Sequence, residues 1–170
     1  PAGKVQGPKL RAAIRSLRLA ALAPHVATGG IIKKIDQSKV PIMTEEAKAG
    51  IAEKLDDPQQ AFDVWKLVSQ IEQECVYPDG FGSARGQKDF TKWGGDSGEV
   101  SFCLSLMSRI NGILSSSSFE CVFKSKAPAL TEKISSFVSN EDRLLRICLS
   151  GVAFEFKARE IVANVIGRHL

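Results

Sequence analysis

The sequence predicts a mainly α-helical protein of six to eight helices. Apolar residues recur at three- and four-residue steps in several separate windows. Cap and stop residues stand at the ends of those windows. Two-residue alternation is confined to short stretches such as Val100–Leu106 and Val152–Phe156. The expected organisation is a basic N-terminal arm over residues 1–36 and a single helical domain over 37–170. A glycine-rich loop, 77–98, interrupts that domain. Hydrophobic residues make up 44% of the 170 and charged residues 25%. This ordinary balance argues against a disordered, collagen-like or disulfide-scaffold chain. No run of about 18 apolar residues is present, so no membrane-spanning helix is expected.

Pro1–Pro8, with Gly3 and Gly7, reads as a flexible lead, and Pro1 is compatible with removal of an initiator Met. Lys9–Ala23 reads as the first helix. Leu10, Ile14, Leu17 and Ala21 make its apolar stripe, and Arg11, Arg15 and Arg18 a basic stripe beside it. Pro24 stops it, because a residue before proline is pushed out of the helical region. Thr44 is an expected N-cap, with Glu45 and Glu46 in the first turn of a helix running to about Leu55. Asp57-Pro58 reads as the start of the next, with Phe62, Trp65, Val68, Ile71 and Cys75 inward. Val100–Leu114 is expected to be helical, with Cys103, Met107, Ile110 and Leu114 on its apolar face. Phe119–Phe123 fits a short strand or a helical turn. A helix then starts near Pro128 or Thr131, with Leu130, Ile134, Phe137 and Val138 inward. Ser139–Asp142 signals another start, leading into Leu144, Leu145, Cys148 and Leu149. A last helical pattern runs from Phe154 through Ile166.

Charge is unevenly distributed. Residues 1–35 hold seven bases (Lys4, Lys9, Arg11, Arg15, Arg18, Lys33 and Lys34) and no acid. The other 135 residues hold 16 bases and 19 acids, so the body is mildly acidic. A basic segment on an acidic body points to contact with phosphates or with an acidic surface, a neighbouring copy included. The planar fork of arginine matches phosphate oxygens. The same stripe also fits an anionic membrane surface, an import presequence, or a surface helix whose arginines pair with carboxylates of the body.

The loop 77–98 holds six glycines and a Pro78-Asp79-Gly80 turn. In it Phe81, Phe90 and Trp93 alternate with Arg85, Lys88 and Lys92. Rings that stack on bases, with cations that follow the backbone, are the equipment of single-strand binding. Asp79, Asp89 and Asp96 cancel the charge, so the same residues also suit self-anchoring or subunit contact. No phosphate-loop spacing is present.

Enzyme signatures are missing: there is no Gly-x-Ser-x-Gly, His-Glu-x-x-His or calcium-loop pattern. His25 and His169 are the only histidines. Cys121, near Lys124 and Lys126, is the only cysteine worth weighing as a nucleophile, and its neighbours look like core. Glu72, Glu74, Glu155 and Glu160 read as solvated helix charges, and Arg143, Arg146, Lys157, Arg159 and Arg168 as a solvated basic face. Cys75, Cys103, Cys121 and Cys148 lack the close pairs of a zinc site and read as buried free thiols, although pairing among them is open. No metal or cofactor is expected. Free thiols and the lack of a secretory signal point to a reducing compartment, cytoplasm or nucleus, or to a virion.

The expectation is a non-enzymatic, self-assembling nucleic-acid-binding protein of coat or nucleocapsid type, with RNA the first candidate. Its phosphate contacts fall to Arg11, Arg15, Arg18, Lys33, Lys34, Arg85, Lys88 and Lys92. Phe81, Phe90 and Trp93 serve stacking or subunit contact. The alternative is a helical adaptor whose basic arm binds an acidic partner or a membrane surface.

Overall fold

Proline 8 should interrupt a helix, because it has no N–H to give the carbonyl four residues back. Yet in the computed structural model α1 runs unbroken over Ala2–Leu22. The structure describes residues 2–35, 37–48, 50–81, 88–119, 130–140, 144–150, 152, 154 and 157–169. Tertiary contacts extend α1 through the expected flexible lead. Val5 packs on the core. Gln6 Nε2 donates to Phe102 O at 2.8 Å and to Ser105 Oγ at 2.9 Å. Pro24 ends the helix as expected and opens a 3-10 turn, Pro24–Val26.

The other helices are α2 Lys39–Ala47, α3 Ile51–Asp56, α4 Leu67–Glu74, α5 Val100–Ser115, α6 Leu130–Ser139 and α7 Ala158–His169. The protein is thus a multi-helix fold within the predicted range. Only isolated β-bridges occur among the described residues, with no strands. Contacts divide the chain into two units, 1–110 and 111–170, with the division inside α5.

In the first unit α1 lies between two apolar clusters. Ala13 and Leu17 meet Leu67, Ile71 and Cys75 of the α4 region and Cys103 and Met107 of α5. Leu19, Ala20 and Ala23 meet Ile32, Ile42 of α2 and Leu55 of α3. Both clusters are dry, so the basic stripe of α1 borders buried surface along its length.

Three boundaries differ from expectation, each for a local reason. The helix expected from Thr44 to Leu55 is two helices, because Gly50 takes φ 80° and turns the chain. Its cap is Ser38, which accepts from Val40 N at 3.3 Å. Pro41 then falls in the first turn, where its missing N–H is not needed. Thr44 instead donates its hydroxyl back to Val40 O at 2.8 Å. Asp57 caps only a turn, accepting from Gln59 N. Asp63 starts the helical run by accepting from Trp65 N, through the 3-10 turn Val64–Lys66 into α4. Trp65, expected inward, lies before α4 and is about half exposed.

In the second unit α6 packs on α7, and Leu114, Phe119, Ile134 and Ala158 are buried. Val138, expected inward, is exposed. Residues 144–149 are not helical, and Leu144 is 86% exposed. A short helix with no buried face has little to hold it, since propensity alone does not sustain one or two turns. The last helix starts at Ala158, not Phe154. Arg159 reaches back from it: it donates to Val152 O at 2.5 Å and Ser150 O at 3.3 Å, and its guanidinium lies 3.6 Å from the Phe154 ring centre. Phe119 closes a 3-10 turn, Ser117–Phe119, and the rest of Phe119–Phe123 lies outside the described residues.

Candidate nucleic-acid interface

After the turn that pairs Thr28 with Ile31, residues 32–34 cross the glutamine face of α4. Gln70 Oε1 accepts from Ile32 N at 2.8 Å, and its Nε2 donates to Ile32 O at 3.1 Å. The side chain thus does for Ile32 what a neighbouring strand would do. Gln73 Oε1, one turn on, accepts from Lys34 N at 3.1 Å. The Lys34 ammonium then meets Glu74 Oε2 at 2.5 Å, with both side chains buried. The other oxygen of Glu74 accepts from Ser16 Oγ at 2.6 Å and Gln70 Nε2 at 3.0 Å. Four polar side chains from α1, α4 and the segment therefore satisfy one another in a dry place, as burial requires.

The glycine-rich loop folds back onto that same segment. Ile35 bridges Trp93 and Ser38 bridges Lys92. Lys39 N donates to Thr91 O at 2.8 Å and Trp93 N to Gln37 O at 3.2 Å. Two ammonium groups lie over the Trp93 ring, Lys34 at 4.3 Å and Lys39 at 4.8 Å from its centre. Lys39 also donates to Pro78 O and Phe90 O. Cations over an indole face are attracted by its quadrupole.

The loop holds its own shape by hydrogen bonds that glycine makes room for. Gly94 N donates to Tyr77 O at 2.6 Å and Gly95 N to Phe81 O at 3.1 Å. A Cβ on Gly94 would overlap the Phe81 carbonyl, and one on Gly80 (φ 71°) the Asp89 carbonyl. Tyr77 and Phe81 meet edge to face at 4.8 Å. Lys88 clasps Asp79 at 3.0 Å and, by that hydrogen bond first, holds the Asp79 carboxyl below its ordinary range. The side chain and N–H of Thr91 do the same for Asp89.

The predicted basic residues separate into those already engaged and those still available. Arg15 pairs with Asp56 at 2.8 Å and Glu46 at 3.9 Å. Arg18 donates to Leu55 O at 2.8 Å and Gln60 O at 3.3 Å and faces the Phe62 ring. Lys9 pairs with Glu99 at 2.6 Å. Lys34 and Lys88 are held as described. Arg11, Lys33 and Lys92 are exposed and have no ion pair among the described residues. Arg85 lies outside the described residues, as do Cys121 and Arg143. Of the aromatic residues, Phe90 is 71% exposed, Phe81 is exposed, and Trp93 is half-buried.

Sequence reasoning missed Gln70, Gln73, Glu74, Ser16 and Lys39. Glu74 was expected to be a solvated charge, but it is only 6% exposed. The signal was available: Gln70 and Glu74 stand three and seven residues after Leu67, on the same stripe as Ile71. Residues able to hold a metal do not cluster among those described. Comparisons of the chain with protein-family models, curated proteins and solved structures find no match.

Proposed function

We propose that this chain is a non-enzymatic protein that binds single-stranded nucleic acid, RNA first, and assembles with its own copies in the manner of a coat subunit. The observation that carries the reading is the pairing of segment 31–38 with the loop. It lays the stretch that follows Lys33 and Lys34 beside the stretch that holds Lys92 and Trp93. Lys33 and Lys92 are exposed and have no ion pair among the described residues, and Phe90 offers an exposed ring. Stacking on rings with flanking cations tolerates any base, which suits a packaging role rather than sequence reading. The weight therefore shifts from the arginine stripe of α1, which spends Arg15 and Arg18 on its own unit, to the loop face.

The test is fluorescence anisotropy with labelled oligouridine over a range of salt. Phe90→Ala should weaken binding about 5- to 160-fold, the value of one stacked base at about 1–3 kcal/mol. Lys92→Ala should flatten the salt slope by about 0.7, one phosphate contact on a single strand. Arg15→Ala should leave the slope unchanged. Absence of binding at low salt would refute the reading.

One observation favours the adaptor alternative. Val40 and Met43 are each 60% exposed on α2, directly after Lys39, which bonds the Phe90–Thr91 backbone. An apolar face beside lysines fits an acidic amphipathic partner, or a second copy, as well as it fits a strand of RNA. Light scattering of the pure protein separates these: a stable oligomer that carries RNA supports the coat-like form, and a clean monomer supports the adaptor.

A further inference from the structure

In the second unit α7 has one covered side and one open side. Ala158 is buried and Val162 and Ile166 are partly buried, and α6 packs on this helix. The open side carries two rows at four-residue spacing, Ile161–Val165 and Glu160–Asn164–Arg168. All five residues are exposed, Ile161 by 48% and Val165 by 36%. A shallow groove of about 380 Å³ runs along these rows, with Lys157 at its N-terminal end. Such rows are the ridges that enter the grooves of a second helix.

The charges on this face are ordered. Glu160 stands in the first turn and Arg168 in the last, and neither has an ion pair among the described residues. Each lies four residues from Asn164. A partner of one sign would be attracted at one end and repelled at the other. A copy of the same helix laid antiparallel meets the opposite sign at both ends.

We propose that the open side of α7 is a self-association surface, on which α7 of a second copy packs antiparallel about a two-fold axis at Asn164. Glu160 then stands level with Arg168 of the second copy, and Arg168 with its Glu160. Ile161 enters the groove beside the second copy's Val165, and the reciprocal contact repeats it, as an isologous interface requires. Asn164 meets its own copy on the axis, where a single polar residue in a helical seam fixes the register. A parallel pair would set Glu160 on Glu160 and Arg168 on Arg168, so charge selects the direction. α7 has 12 residues and is about 18 Å long. A contact of that length stays below the ~1,200 Å² of a standard interface, so the pair is weak and transient, and lasting assembly needs several such contacts. The inference rests on the self-assembly part of the proposed function and is independent of its nucleic-acid part.

The experiment uses the nuclease-treated full chain, followed at low salt by analytical ultracentrifugation up to about 1 mM, as a contact of this size demands. The wild type should associate. Glu160→Arg and Arg168→Glu should each weaken association about 10-fold or more, because two attractive pairs become two repulsive ones. Mixing these two variants should restore it, since each supplies the sign that the other lacks. The swap of both residues in one chain, Glu160→Arg with Arg168→Glu, should restore it as well. In the wild type, the NMR methyl signals of Ile161 and Val165 should shift with concentration. Single variants that associate like the wild type, a mixture and swap that stay dissociated, or fixed methyl signals in an associating chain would overturn α7 as the surface and leave self-assembly standing. A wild type that stays monomeric throughout would overturn self-assembly itself.

Discussion

Replacing Lys34 by methionine tests whether the buried polar cluster supports the loop face. The variant keeps the length and apolar stem of the side chain and removes only the ammonium. In the native protein that ammonium sits 2.5 Å from Glu74 Oε2, with the two side chains 9% and 5% exposed. Removing one member of a buried ion pair costs about 3–5 kcal/mol, because the other charge is left without compensation. Ser16 and Gln70 still serve Oε1, which moves the expected cost toward the lower end. Loss of the cation over Trp93 adds about 1 kcal/mol, so the sum is about 4 kcal/mol. The double variant Lys34→Met, Glu74→Gln buries no charge and should recover at least about 2 kcal/mol of that loss. Urea unfolding followed by tryptophan fluorescence measures this cleanly, since both tryptophans, Trp65 and Trp93, belong to the first unit. A Lys34→Met cost below about 1 kcal/mol, or a double variant no more stable than the single one, would refute the account of the cluster.

Two further predictions concern the loop itself. Gly94→Ala places a methyl group against the Phe81 carbonyl and within 2.7 Å of Phe81 N and Tyr77 Cβ. It should destabilise the loop by about 1–3 kcal/mol, read as faster hydrogen exchange at the Gly95 and Tyr77 amides; unchanged exchange would contradict the packing. Acid should unfasten the loop in a defined direction. Asp79 and Asp89 are held below their ordinary value of 3.8 in the folded protein, chiefly by Lys88 and by Thr91 respectively. Their contribution is therefore complete above that value and is lost as the pH falls below it, through the folded values. Titration of the Phe81 and Thr91 amides by NMR should give midpoints below 3.8, and midpoints at or above it would count against both hydrogen bonds.

Helical content was legible because periodicity needs only local sequence, and α5 falls almost where the apolar face of Val100–Leu114 puts it. Boundaries were less legible where tertiary contacts decide them. Nothing near Pro8 announces that Gln6 will reach α5, and the glutamines of α4 look like solvent residues until segment 31–38 is laid across them. The basic and aromatic features of the candidate face were each visible, but their adjacency was not. It depends on pairing between residues more than 50 positions apart, through isolated bridges that leave no alternating pattern to read. Residues 144–149 failed in the opposite sense. Their spacing and cap signals are good, but among the described residues nothing covers Leu144, which stays exposed.

A charge count treats every cation as equally free to meet a ligand, and the first 35 residues show why that overstates the case. A helix flanked by two dry clusters cannot keep its basic stripe wholly in solvent. Arg15 and Arg18 lie where α3 ends, and they serve its Asp56 carboxylate and its Leu55 carbonyl; Lys34 is drawn inside by Glu74. What remains for a phosphate is the cation that is exposed and has no ion pair among the described residues. Lys33 is such a residue, one position before the buried Lys34 in an extended segment, where successive side chains point to opposite faces. The same alternation that buries Lys34 against Trp93 therefore turns Lys33 outward. Binding should follow the side that Lys33 occupies, so Lys33→Ala should weaken oligouridine and flatten its salt slope, while Lys34→Met should act mainly through stability.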